Sequence, residues 1–305
     1  MGRGVALMVD IAQSILDRLK VKARQSGKSY QLHLLLFCQE EFLRRVQHSH
    51  YFGNLVLKGG LFLYCLSGFE GRPTMDVDFM LQQLPSDMEK MKEVVQEIIS
   101  EAQGRDFIRF EINSIEPIAE HREYNGLRVK LIAFIKNTRT PFHVDMGVGD
   151  VIIPKAEVRT IPTQLDDFAA PKVMTYSLES TVAEKFDAII ARMELGSRMK
   201  DYYDIYYLAN CYAFDAKTLQ KAVLATLQKR ETYYAEDTMD RVYAFAQDAD
   251  MQKKWQHFSK RTMKINLELL EVLQVIQLFI GPIFCAIISG GEMFGTWNAQ
   301  TMRFE

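Results

Sequence analysis

The sequence predicts an α+β protein, a mixed sheet with helices followed by an all-helical bundle, on three observations. Its apolar residues recur first at helical spacing, change to strand-like alternation near residue 55, and return to helical spacing after Pro171. No repeat, low-complexity tract or Pro/Gly/Ser linker interrupts the chain. The changes of period therefore divide it into N-terminal helices over 1–50, an α/β region over 51–170 and a helical region over 171–305.

Residues 9–25 read as a helix carrying Arg18, Lys20, Lys22 and Arg24. After Gly27-Lys28-Ser29, residues 30–47 read as another, with Leu32, Leu35, Leu36, Phe42, Leu43 and Val46 as its apolar face. Leu55-Val56-Leu57 is a short β run ending at Gly59-Gly60, residues 61–66 are helical in character, and Gly68 to Pro73 is a turn. A strand follows over 75–81, a helix over 86–102, and three strand runs over 107–115, 127–135 and 141–148. Beyond Pro171 helices are expected at 181–194, 199–210, 216–228, 235–246 and 263–280.

The 305 residues are 48% apolar and 25% charged, which excludes a disordered tail, a fibre or a disulfide-stapled mini-protein and suffices for about two domains with their own cores. Lys plus Arg is 37 against 39 Asp plus Glu, a net charge of −2. No global field draws the chain to nucleic acid or an acidic membrane, so any polyanion must meet a local basic cleft. Cys38, Cys65, Cys211 and Cys285 stand apart in apolar or aromatic contexts and read as reduced, buried small hydrophobes of a cytoplasmic protein. Met1-Gly2-Arg3-Gly4-Val5-Ala6 lacks the apolar core of a secretory signal. Residues 269–288 are long and apolar enough to raise a membrane-anchored reading. Glu271, Gln274 and Gln277 form a polar stripe along them, and Gly281-Pro282 interrupts the pattern, so a buried helix and no membrane are expected.

The chemistry concentrates in Leu57-Lys58-Gly59-Gly60-Leu61 and Arg72-Pro73-Thr74-Met75-Asp76-Val77-Asp78-Phe79. Glycines between a strand and a helix let the backbone approach a ligand, the N–H groups of the helix start can hold phosphate, and Lys58 adds a point charge. Asp76 and Asp78, two apart on a strand, share one face, and Met75, Val77 and Phe79 take the other. Two carboxylates held a few ångströms apart repel, and a divalent cation such as Mg²⁺ or Mn²⁺ is the natural neutraliser. A solvated strand edge explains an isolated Asp-x-Asp equally simply. In Phe142-His143-Val144-Asp145-Met146 the same alternation puts His143 beside Asp145, and a neighbouring strand would bring Asp145 to the same metals. Three carboxylates beside a glycine-lined cradle make a two-metal phosphoryl-transfer site. The sequence contains no Ser-His-Asp, Walker or zinc signature, and His33, His48, His50, His121 and His257 lack ligand spacing.

These motifs carry a resemblance. Val56-Leu57-Lys58-Gly59-Gly60, Arg72-x-Thr74-x-Asp76-x-Asp78, Gly149-Asp150, Ala183-Glu184-Lys185 and Ser197-Arg198-x-Lys200-Asp201-x-x-Asp204 resemble the AbiEii-type nucleotidyltransferase toxins of type IV toxin–antitoxin and abortive-infection systems, members of the polymerase-β superfamily. The likeness covers about residues 10–290. It implies a polymerase-β-like nucleotidyltransferase domain that binds a Mg–NTP and a helical domain that closes the cleft. Asp76, Asp78 and Asp145 would be the metal ligands, with Asp145 also helping to deprotonate the acceptor. Lys58, Gly59, Gly60, Arg72, Thr74 and Lys185 would bind the nucleotide, and Asp201 would be a functional acid with Asp204 as its near alternative. In that family the second glycine is often a serine whose hydroxyl helps hold the terminal phosphate; here Gly60 leaves backbone N–H groups alone.

In the helical half, Val182, Phe186, Ile189, Ile190 and Met193 form one stripe with Lys185 and Arg192 along its border, where cations either shield a helix edge or reach towards a cleft. Asp201 and Asp204 lie among Tyr202, Tyr203, Tyr206 and Tyr207, so a freely solvated face is not expected. Those tyrosines suit packing as well as base stacking. The basic residues of 18–28 and Arg44-Arg45 read as a solvated helix face, with an RNA backbone as the other use of such charges. The resemblance implies RNA as acceptor, foremost a tRNA 3′ end whose modification stops translation, and a cognate AbiEi-type antitoxin acting with or without direct contact. The rival readings are transfer to a protein or small molecule, and a nucleotide-binding module without turnover.

Overall fold

A computed structural model of the protein describes residues 10–85, 87–101, 106–118, 126–196, 198–263 and 265–305; Met1 to Ala6, His121 and Ser197 lie outside the described residues. The chain forms two compact units, Met1–Val148 with Val158–Thr175, and Gly149–Glu157 with Tyr176–Glu305.

In the first unit the Asp10 carboxylate accepts from the Gln13 N–H and starts α1 (Ile11–Ser26), which Gly27 ends at φ 68, a left-handed conformation that glycine adopts without strain. The Ser29 hydroxyl caps α2 (Tyr30–His48) in the same way through the Leu32 N–H. β1 (Leu55–Lys58) runs straight into α3 (Gly59–Leu66), followed by β2 (Asp76–Leu81), α4 (Met88–Ser100), β3 (Arg109–Ile118), β4 (Gly126–Ile135), β5 (Thr138–Gly147), β6 (Glu157–Thr160) and β7 (Lys172–Thr175). The seven strands make one sheet in the order β3-β4-β5-β2-β1-β7-β6. β3, β4 and β5 form an antiparallel meander; β2 lies parallel to β5 and antiparallel to β1, and β1 is parallel to β7, so the sheet is mixed as predicted. β6 and β7 were not foreseen: four residues each, they carry too little alternation to register.

Phe42 of α2 packs within about one ring diameter of Phe79, Phe110 and Phe142 from three strands, which fixes the helix across the sheet. Burial of that helix extends to its charges and corrects the expected solvated face. Arg44 and Arg45 are 2% and 3% exposed. The Arg44 guanidinium pairs with Glu40 and Glu41 and donates to the Ala169 carbonyl at 2.6 Å, while Arg45 donates to the carbonyls of Ile99 and Ile108. They cap loops and neutralise acids, and are not open to an RNA backbone.

The second unit contains α5 (Leu178–Arg192), α6 (Met199–Cys211), β8 (Phe214–Asp215), α7 (Ala216–Lys229), α8 (Thr238–Ala244), α9 (Ala249–His257), α10 (Leu269–Ser289), β9 (Thr296–Asn298) and β10 (Arg303–Phe304). Its helical character matches the sequence pattern. A three-stranded sheet, β10-β9-β8, adds to it, and Trp297 of β9 fills the space against Phe279 with its indole N–H on the Ala209 carbonyl. Pro282 lies inside α10, so Gly281-Pro282 does not end the helix where the sequence suggested. α10 is the one helix among the described residues long and apolar enough to cross a membrane by length and composition. Val272, Leu273, Ile276, Phe279, Ile280, Ile283 and Phe284 are nonetheless buried within the unit, where the helix meets α6, α7 and α8; of the expected polar stripe, Glu271 and Gln274 are exposed and Gln277 is half-buried. Cys38 and Cys65 are buried as expected, whereas Cys211 and Cys285 are exposed: each sits on the outer side of its helix, which periodicity around a single cysteine did not reveal.

Candidate functional site

The β1–α3 junction brings the glycines to the acidic strand. Gly59 has φ +69, and a Cβ placed on it would overlap the Asp78 carboxylate, with the Asp78 Cγ at 2.7 Å. Only glycine lets the backbone turn here and Asp78 lie against it. Gly60 is also closely approached, though without a left-handed backbone: a Cβ there would stand 2.7 Å from the Thr74 hydroxyl and 3.2 Å from the Arg72 Nη2. Lys58, Gly59, Gly60, Arg72, Thr74 and Asp78 are thus one neighbourhood. Lys58 occupies the N-cap of α3 without a side-chain capping bond, so no cap side chain covers the first N–H groups of the helix.

The alternation in β2 and β5 is as predicted, with Val77, Phe79, Val144 and Met146 fully buried and Asp76, Asp78, His143 and Asp145 partly exposed on the other face. Met75 departs from it: it precedes the strand and is 63% exposed. Register supplies what spacing could not. Asp78 stands opposite Asp145, and Asp76 opposite His143, whose Nδ1 is 3.4 Å from the Asp76 Oδ1. Glu116 faces Arg128, Arg128 faces Asp145, Asp145 faces Asp78, and Asp78 faces Lys58. A single row of five charges therefore crosses five strands, and its one like-charged step is Asp145 to Asp78.

Arg128 grips Asp145 with both prongs of its guanidinium, Nε to Oδ1 at 2.7 Å and Nη2 to Oδ2 at 2.6 Å. That bidentate pair, with the further pull of Asp76 and Asp78, holds Arg128 protonated well above its ordinary range. Among the described residues no three His, Cys, Asp or Glu side chains are gathered closely enough to hold a metal ion. The donor chemistry suits a hard divalent cation, since Asp76 and Asp78 offer carboxylate oxygens on one face; what stands outside that pair is Asp145, with both oxygens on Arg128.

In the second unit Lys185 lies within α5 and is 8% exposed, so it is a buried residue and not the border cation that spacing suggested. Its Nζ is 3.2 Å from the Asp201 Oδ1 and 2.9 Å from the Asp204 Oδ2, and the Arg198 Nε is 2.9 Å from the other Asp201 oxygen. The two acids that the sequence offered as alternatives meet the same ammonium and are buried, as their tyrosine neighbours indicated. Tyr203 stacks on Tyr207 and touches Phe258, a packing role. Arg192 is half-buried at the end of α5.

Two arginines escaped the sequence reading. Arg128 had a signal, the alternating Leu127-Arg128-Val129-Lys130-Leu131 that puts both cations on one strand face. Arg230 had none: it pairs with Asp150, Glu184 and Asp187, residues distant in sequence, and Thr232 donates to Asp187. Burial works against the Arg230 charge, but the three carboxylates outweigh it and hold its protonated form.

The Nucleotidyl transferase AbiEii toxin, Type IV TA system family model matches residues 41–274, more than two thirds of the chain. No curated protein matches it. Two solved structures resemble it at low identity: JHP933 from Helicobacter pylori, at 17% identity over 86% of this chain and 94% of that one with a TM-score of 0.46, and an H. pylori protein described as a candidate nucleotidyltransferase, at 16% identity over 86% and 96% with a TM-score of 0.46. On the extent of the family match, the chain belongs to the AbiEii nucleotidyl transferase toxin family of type IV toxin–antitoxin systems.

Proposed function

We propose that the protein is a Mg²⁺- or Mn²⁺-dependent toxin that transfers a nucleoside monophosphate from an NTP to the hydroxyl of an RNA acceptor, foremost a tRNA 3′ end, and so blocks translation in the cytoplasm. The observation that carries this reading is the like-charged Asp78–Asp145 step beside the glycine turn, in a chain of the AbiEii family.

Asp76 and Asp78 are the residues that would hold the cation. When bound, it would neutralise charge on the donor phosphates and make the acceptor hydroxyl more acidic. The chain's own groups supply the rest. Backbone N–H groups of Gly60 and Leu61, Lys58, the Arg72 guanidinium and the Thr74 hydroxyl bind the phosphates, and the family resemblance adds Lys185, whose ammonium meets Asp201 and Asp204. The Thr74 hydroxyl stands against Gly60, so a hydroxyl is present at that turn although residue 60 has no side chain. The acceptor oxygen attacks the α-phosphorus while the bond to the β-phosphate oxygen breaks and pyrophosphate leaves with the electron pair. Asp145 takes the acceptor proton. An AbiEi-type antitoxin opposes the outcome, by contact or by acting elsewhere.

The test is incubation with each α-labelled NTP, Mg²⁺ and total tRNA, beside Asp76→Ala, resolved on a denaturing gel. Label on tRNA that disappears in the variant is expected, with a loss of at least about a thousandfold. Label on protein or on a small molecule overturns the RNA acceptor, and bound nucleotide with no labelled product overturns the enzyme.

A further inference from the structure

We infer that Arg128 and a divalent cation compete for Asp145: Asp76 and Asp78 take the ion first, and Asp145 joins them only when Arg128 releases it. The inference rests on the metal-dependent reading above and adds a positioning residue to it.

Across the row Glu116, Arg128, Asp145, Asp78, Lys58, every neighbouring pair is of opposite sign except Asp145 with Asp78. Arg128 resolves half of that conflict by taking both oxygens of Asp145. A carboxylate engaged bidentately by a guanidinium has little left to offer a cation, and a positive charge beside the site opposes a second one. The same fork has a second place to go. Glu116 is directly opposite Arg128 on the other side, 45% exposed and paired with Lys130 at 2.7 Å. Arg128, 34% exposed on a long side chain, can exchange one carboxylate for another across the strand without leaving the sheet face. Asp145 is thereby kept neutralised until charge arrives that can replace the arginine, so the proton acceptor assigned above is disengaged while the site is unloaded.

Mn²⁺ serves as the probe, its free concentration followed by electron paramagnetic resonance with nucleotide absent, on the full chain and on Arg128→Gln, Asp145→Asn, the double variant and Asp76→Ala, each checked for an unchanged melting transition. Removing a unit charge beside a divalent ion in a half-exposed site strengthens binding about tenfold, so Arg128→Gln tightens Mn²⁺ by that factor. Asp145→Asn alone weakens Mn²⁺ by a similar factor, because it leaves the Arg128 charge unneutralised beside the site, and the double variant, which removes a neutral pair, returns to about the wild-type value. Unchanged or weaker binding in Arg128→Gln overturns the competition, as does a double variant that keeps the tightening of Arg128→Gln. If no variant shows Mn²⁺ binding that depends on Asp76, the metal-site reading itself falls and the competition with it.

Discussion

Two charge clusters, one in each unit, are built in opposite ways. In the helical unit Lys185, Arg198, Asp201 and Asp204 balance, and the two acids are 1% and 2% exposed. In the sheet unit Asp78 and Asp145 stand side by side with no cation between them in the row, on a face where Asp76 is 43% and Asp145 16% exposed. Burial explains the contrast. A charge removed from water must be paired on the spot, whereas a partly solvated strand face tolerates a like-charged step that a ligand can later neutralise. Balanced buried charge holds the structure together, whereas a half-exposed like-charged step leaves room for a ligand.

That contrast can be broken in four ways. Lys185→Met removes the cation shared by two buried carboxylates and should cost about 3–5 kcal/mol in urea unfolding, the cost typical of breaking a buried pair. A variant as stable as wild type would abolish the distinction. Gly59→Ala comes next: left-handed backbone and overlap with Asp78 together should cost about 2 kcal/mol and weaken Mn²⁺ binding as well. Asp78→Asn should move the other way, leaving stability unchanged or raised by up to about 1 kcal/mol while product formation is lost; a clear destabilisation would mean the acid is structural after all.

The fourth is a pH slope. Glu40, buried on α2, has its carboxyl pushed up from 4.5 to about 8 by burial, which outweighs the pull of Arg44. Between those values the folded protein holds a proton that the unfolded chain has released. Stability from this group is therefore undiminished below about pH 4.5 and declines as pH rises towards 8, by up to about 1.4 kcal/mol per unit. Glu40→Gln should flatten that slope in melts run across the range. An equal slope in the variant would assign it to other groups.

Much of this was legible in the sequence, and the failures share a cause. Alternation at Asp76-Val77-Asp78 and His143-Val144-Asp145 gave the faces correctly because a strand's period is local. The parallel pairing of β1 with β7 was hidden, since its partner strand lies more than a hundred residues away and spans only Lys172–Thr175. Lys185 and Arg44 were misplaced for a related reason. Periodicity assigns a cation to a helix border or a solvated face by default, and only neighbours from other segments can bury it with compensation.

The sequence by itself determined the α+β class, the acidic and apolar faces of β2 and β5, the glycine turn and the family, because each depends on residue order over a few positions. Tertiary structure alone decided that Asp78 meets Asp145, that Arg128 holds Asp145, that Thr74 and Arg72 press on Gly60, and that Lys185 binds both Asp201 and Asp204. Those are relations of register and packing between distant segments. They follow from how whole strands and helices bury their apolar faces together, which no local pattern specifies.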